Sequence, residues 1–338
     1  DGYVDLLVGA WDNEEGGSVA GGAYLVLGSA SPTSLGLASA DAQYTGEAID
    51  DYAGWSVSAA GDVDADGFDD LFIGAVYNDD GGNRSGAAYL VLGSASPTSL
   101  GLASADAQYT GEADDDHAGE SVSGAGDVDA DGYDDLLVGA QYAEGGGNDK
   151  GAAWLILGSA SPTSLGLASA NAQYTGEDYG DYAGESVSAA GDIDADGYDD
   201  LLIGARGNDD GGNSPGAAYL ILGSAAPASM RLGSANAKYT GEADYNGAGV
   251  PVSAAGDVDA DGYDDLLIGA VYNEDGGSGA GAAYLVLGSA FPTSLGLASA
   301  DAQYTGEADG DYAGRSVSAA GDVDADGYDD LLIGAYEN

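Results

Sequence analysis

Apolar residues come in short runs. DLFIGA at 70–75 and GAAYLVLG at 86–93 are continuous, while SVSAAG at 56–61 and AQYTGE at 107–112 alternate with a period near two. Clusters of Gly, Asp and Asn separate the runs, which therefore read as four short β-strands. Helix is a poor fit, because 60 glycines punctuate every segment and no 3.6-residue apolar period survives for ten residues. SASPTSLGLASA at 29–40 has room for one helical turn.

The pattern repeats. GDVDADGFDD at 61–70 returns at 126, 191, 256 and 321, which sets the period at 65 residues without insertion or deletion. The chain holds five periods and 13 residues over, giving units 1–65, 66–130, 131–195, 196–260 and 261–325 and a partial unit 326–338, all within one repeat domain, 1–338. Four-stranded units of constant length predict an all-β fold, a β-propeller whose blades pack face to face. The small side chains of SVSAAG suit the innermost strand, the apolar runs suit the middle strands, and AQYTGE suits the outer edge.

Composition changes the picture in one direction. Against 59 Asp and Glu stand 6 Lys and Arg, a formal charge of −53. Such a chain repels nucleic acid and anionic lipid. The acids at four spaced positions of the repeated loop account for 20 of these, and part of the remainder suits a surface adapted to saline surroundings. At 44% hydrophobic the chain has the means to bury a core. Cysteine is absent, so no disulfide framework exists. No run approaches the roughly 18 apolar residues of a membrane helix, which predicts no membrane insertion. The chain opens on Asp1 and reads as a processed or excised piece of something longer.

The acidic loop carries the candidate chemistry. Asp62, Asp64 and Asp66 stand at positions 1, 3 and 5, Gly67 at 6 and Asp70 at 9, and the carbonyl of Phe68 at position 7 can add an oxygen. Four carboxylates form six like-charge pairs, each costing about 3 kcal/mol at roughly 5.5 Å and an effective dielectric near 20. A cation is expected to hold them. Calcium fits an oxygen-only set of irregular geometry, magnesium asks for an octahedron, and zinc asks for His or Cys. The acid at 9 and the flanking strands exclude an EF-hand. A plain polar turn needs one Asp and a Gly, not four acids in register five times.

The stretch YAGWSVSAAGDVDADGFDDLFIGA at 52–75 resembles the FG-GAP repeat of integrin α-subunit propellers, with AG where the family often has FG. The resemblance implies a calcium site in each complete loop, about five Ca²⁺ in all. By motif position the ligands fall on Asp62, Asp64, Asp66, Phe68 and Asp70; on Asp127, Asp129, Asp131, Tyr133 and Asp135; and on Asp192, Asp194, Asp196, Tyr198 and Asp200. In the last two loops they fall on Asp257, Asp259, Asp261, Tyr263 and Asp265, and on Asp322, Asp324, Asp326, Tyr328 and Asp330. The first half-motif keeps only Asp1 and Asp5. Integrin-type propellers have seven blades, so ring closure is not implied.

The resemblance points to an extracellular or surface-displayed, bacterial, calcium-stabilised module that binds a protein or glycan in adhesion. The near-identity of the copies raises two alternatives, a calcium-dependent fibre or sheath built from copies of the chain through its terminal half-blades, and an accessory domain of a larger secreted enzyme. No catalytic constellation stands out. The acidic loops EAIDD at 47–51 and its counterparts read as solvated turns in preference to a second cation site or a ligand-facing rim, because their acids shift from copy to copy; His117 reads as an exposed loop residue, and Trp11, Trp55 and Trp154 as packing or surface residues. The copy at 216–256 diverges most, which reads as drift in preference to a contact face.

Overall fold

The computed structural model describes residues 2–14, 16–143 and 149–337. It is all-β, and its strands form six sheets among the described residues. In the second sheet Ala53–Gly61, Asp70–Ala75, Ala87–Val91 and Ala107–Thr110 run antiparallel in succession. This is the blade of a β-propeller, with the small-residue strand at one edge and AQYT toward the other. The third, fourth and fifth sheets repeat it. The first sheet is built on Leu6–Gly9, Gly22–Val26 and Ala42–Thr45, and the last on Ala313–Gly321 and Asp330–Ala335.

A fifth strand is added that the sequence pattern did not show. Leu165–Gly166, from the connection before the fourth strand of one blade, pairs in parallel with Ala107–Thr110 of the preceding blade. The Ser164 hydroxyl accepts the Gln108 N–H beside it at 3.0 Å. The short 3₁₀ turn Leu167–Ser169 follows and buries Leu167, which is the single helical turn expected in the SASPTSLGLASA segment. Each blade thus straps the one before it.

The core lies between sheets. One cluster joins Phe72, Leu90 and Tyr109 of one sheet to Leu136, Val138 and Trp154 of the next, and the same arrangement recurs between the following pairs. The second strand is buried on both faces, as in DLLIGA at 200–205, because a sheet lies on either side of it. AQYT is less polar in place than expected. Its Ala and Tyr turn inward, so that Tyr109 and Tyr174 are buried while Gln and Thr are half-buried. The outer faces of the end sheets are uncovered: Leu332 is 65% and Leu6 61% exposed.

Inner strands are also joined by hydroxyls. Ser56, Ser121 and Ser186 accept the N–H of Val122, Val187 and Val252 in the next blade at 3.0 to 3.1 Å. Pro251 stands at the next place in this series and has no hydroxyl to offer.

Candidate metal centre

Each acidic loop connects the first and second strands of a blade, so all of them lie at one end of the strands. The loop is shaped by its own carboxylates. Asp62 accepts the N–H groups of Asp66 and Gly67, each at 2.9 Å, Asp66 accepts that of Phe68 at 3.0 Å, and Asp70 accepts those of Val63 at 2.9 Å and Gly93 at 2.7 Å. Gly67 has φ +94°, with open space where a Cβ would stand, so glycine is required there by the backbone alone. Ala65 and its four counterparts hold φ between 55° and 62°, a conformation that costs an alanine energy and that the loop must impose.

The carboxylates converge. In every complete loop three acids place one oxygen each within 4.8 Å of one another: Asp62, Asp64 and Asp66; Asp127, Asp129 and Asp135; Asp192, Asp194 and Asp200; Asp257, Asp259 and Asp261; Asp322, Asp324 and Asp330. The remaining ligand-position acid of each loop, such as Asp70 or Asp131, lies outside that tight group while its carboxylate still accepts a loop N–H, from Val63 and Tyr133 respectively. Phe68, Tyr133, Tyr198, Tyr263 and Tyr328 donate their backbone N–H to the position-5 carboxylate, which belongs to the converging group in the first and fourth loops. Asp5 caps Gly28 at 2.7 Å as Asp70 caps Gly93, and Asp1 lies outside the described residues.

Electrostatics say what is missing from the loop. Burial pushes Asp135 and Asp200 up to about 7, and Asp70 and Asp265 up to about 6, although two backbone N–H groups pull each down. Burial and the neighbouring acids also raise Asp64, Asp129 and Asp194. One oxygen each of Asp129 and Asp194 is buried without an aligned hydrogen bond. Charge without a partner in a hollow of oxygens fits a hard cation, and the donor set contains no nitrogen or sulfur.

Sequence reasoning missed a clamp between loops. The Asp134 carboxylate accepts the N–H of Asp62 in the preceding blade at 2.7 Å, and the N–H of Asp134 returns a bond to the Asp62 carbonyl at 3.2 Å. Asp199, Asp264 and Asp329 repeat this on Asp127, Asp192 and Asp257. The signal was the doubled DD closing each motif, of which only the second Asp had been given a role.

Two further expectations are corrected. The EAIDD-type loops are not simply solvated turns, because their last residues Asp51, Asp116 and Asp181 are buried and cap the N–H three residues back, as Asp51 does on Ala48 at 3.1 Å. His117 is half-buried, with its imidazole between Tyr77 and Tyr142 at 4.8 and 4.9 Å. Burial lowers its pKa. Trp154 is a packing residue whose indole N–H donates to Glu112 at 3.0 Å.

The FG-GAP repeat family model matches residues 53–91, 118–156, 183–221 and 313–338. Each of the first three segments begins at an inner strand and runs through the acidic loop to the third strand. The chain is an integrin-α-like FG-GAP repeat protein. It is 36% identical to human integrin alpha-IIb over 168 residues, 48% of the chain and 15% of that protein. It is 32% identical to integrin alpha-5 of Xenopus laevis over 177 residues, 49% of the chain and 16% of the relative. With integrin alpha-PS2 of Drosophila melanogaster the identity is 30% over 235 residues, 67% of the chain and 16% of the relative. The chain thus spans about a sixth of the length of these relatives. The FG-GAP matches omit 222–312, which contains the divergent inner strand with Val250 and Pro251.

Proposed function

We propose that this chain is a calcium-stabilised, extracellular adhesion module that binds a protein or glycan. The observation that carries the reading is the fivefold convergence of carboxylate oxygens, in four loops inside the FG-GAP matches and in the like loop at 256–265. In each loop the acids at positions 1, 3, 5 and 9 and the carbonyl at 7 would hold one Ca²⁺, for about five per chain. The ion supplies positive charge that lets buried Asp135 and Asp200 stay ionised and pins the loop joining two strands. The whole of 1–338 acts as one repeat domain. Similarity to integrin α-subunits supports binding rather than catalysis, and the chain's charge argues against nucleic acid as partner.

The experiment is adhesion of beads coated with the chain to arrayed extracellular proteins and glycans, in millimolar calcium and after chelation. Saturable binding that chelation abolishes is the expected result. Binding that is the same with and without calcium contradicts the role given to the metal, and no binding to either array contradicts adhesion.

A further inference from the structure

At the opposite end of the strands from the acidic loops runs a line of aromatic rings. Trp11 stacks on Tyr52 at 5.5 Å, and Tyr52, Tyr77, His117, Tyr142 and Tyr182 follow with successive centroids 4.8 to 5.9 Å apart. Tyr272, Tyr312 and Tyr336 resume it at 6.2 Å spacing. The rings come alternately from the connection that precedes an inner strand (Tyr52, His117, Tyr182, Tyr312) and from the first or second residue after the alanine that ends DLLIGA-type runs (Trp11, Tyr77, Tyr142, Tyr272, Tyr336). In one place both contributors are glycine: Gly207 stands where other copies have Tyr77, Tyr142 and Tyr272, and Gly247 where they have Tyr52, His117, Tyr182 and Tyr312.

The break is a cleft of about 570 Å³, with Tyr182 and Tyr272 among its walls, Gly207 and Gly247 in its lining, and Tyr245 and Glu274 also on it. Among the described residues it is the one place where two consecutive rings of that line are missing. Arg206 also lines the cleft, lying over the Tyr182 ring at 5.3 Å and ion-paired to Glu185 at 2.6 Å, so its charge is already matched. Arg206 is the one basic residue in the cleft lining, against which stand two acids, Glu274 and Asp244, the latter accepting the Asn213 backbone and side-chain N–H groups at 2.9 and 2.8 Å, and the chain around them carries −53.

We propose that this cleft binds an aromatic side chain flanked by a basic residue in a partner polypeptide. The ring enters between Tyr182 and Tyr272 and restores the edge and face contacts that two missing rings leave unmade. The basic group lies toward Asp244 and Glu274, where charge and the Tyr245 ring both attract a cation. The gap is a product of residue identity rather than of fold, since Gly247 holds φ +63° and Tyr52, Tyr182 and Tyr312 hold φ 53° to 57° at the same place. A tyrosine at 247 is therefore accommodated by the backbone. Its Cβ meets only the edge of Tyr272, at 3.2 Å. The inference rests on the reading of the chain as a binding module and names one site and one ligand chemistry for it.

The test is calorimetric titration of the 338-residue chain with N-acetyl-tryptophanyl-arginine amide. The alanyl-arginine and tryptophanyl-glutamate amides and methyl glucopyranoside are the comparison probes. Saturable binding of the first, about tenfold tighter than any of the others, is expected, with loss of about tenfold or more in Gly247→Tyr. Calcium uptake of the variant should be unchanged, which shows that it is folded; if it is not folded, Tyr272→Ala provides the same comparison. Equal affinity for alanyl-arginine, preference for the pyranoside, no saturable binding, or full affinity in the variant would each overturn the proposal. Adhesion that depends on calcium but survives Gly247→Tyr would remove this site while leaving the module intact.

Discussion

Gly126 and Asp199 show how far single residues are committed to the joint between blades. A Cβ on Gly126, at φ +71°, would stand 2.2 Å from the Asp199 carboxylate that accepts the Asp127 N–H. Removing that acceptor in Asp199→Ala leaves the N–H without its partner, and a cost of about 1–3 kcal/mol is expected in denaturant unfolding. Glu185 gives a pH signature. Burial, outweighing Arg206, pushes it up to about 7, so the folded chain takes up its proton more readily than the unfolded chain. The stability this group contributes is full below its unfolded pKa and lost as pH rises through about 7. Thermal unfolding at pH 5 and pH 8 should therefore show Glu185→Gln gaining on the parent chain at the higher pH. At this scale the sequence was legible where a residue recurs: the loop acids and Gly67 stood in register five times. Asp199 was not, because its partner is 72 residues away in another blade.

Strands and loops were legible for a different reason. Continuous apolar runs such as DLLIGA have to be buried on both faces, and their place in the middle of each sheet follows. Two-residue strands escape such reading, since Leu165–Gly166 carries no period and is fixed only by the edge it meets. The middle strand is where truncation should cost most. Leu202→Ala removes a fully buried side chain between two sheets and should destabilise by about 2–5 kcal/mol in denaturant unfolding. A loss below about 1 kcal/mol would mean that the sheets are less closely packed than described.

The molecule as a whole is a stack whose layers each depend on their neighbours. Its uncovered end faces, with Leu6 and Val4 at one end and Leu332 at the other, predict that the 338-residue chain self-associates. Sedimentation should show concentration-dependent growth that Leu332→Asp reduces, and a monomer at all concentrations would contradict this. The fold class and the recurrence of the acidic loop could be read from the 65-residue period, whereas the aromatic line and its break required knowing which ends of the strands come together. The central claim is that the loops hold calcium. Calorimetric titration of the metal-free chain with calcium should give about five ions per chain, each adding about 2.7 kcal/mol of stability at a hundredfold excess over Kd, and one ion fewer for Asp192→Ala. No saturable uptake, an equal response to magnesium, or an unchanged count in the variant would contradict the account.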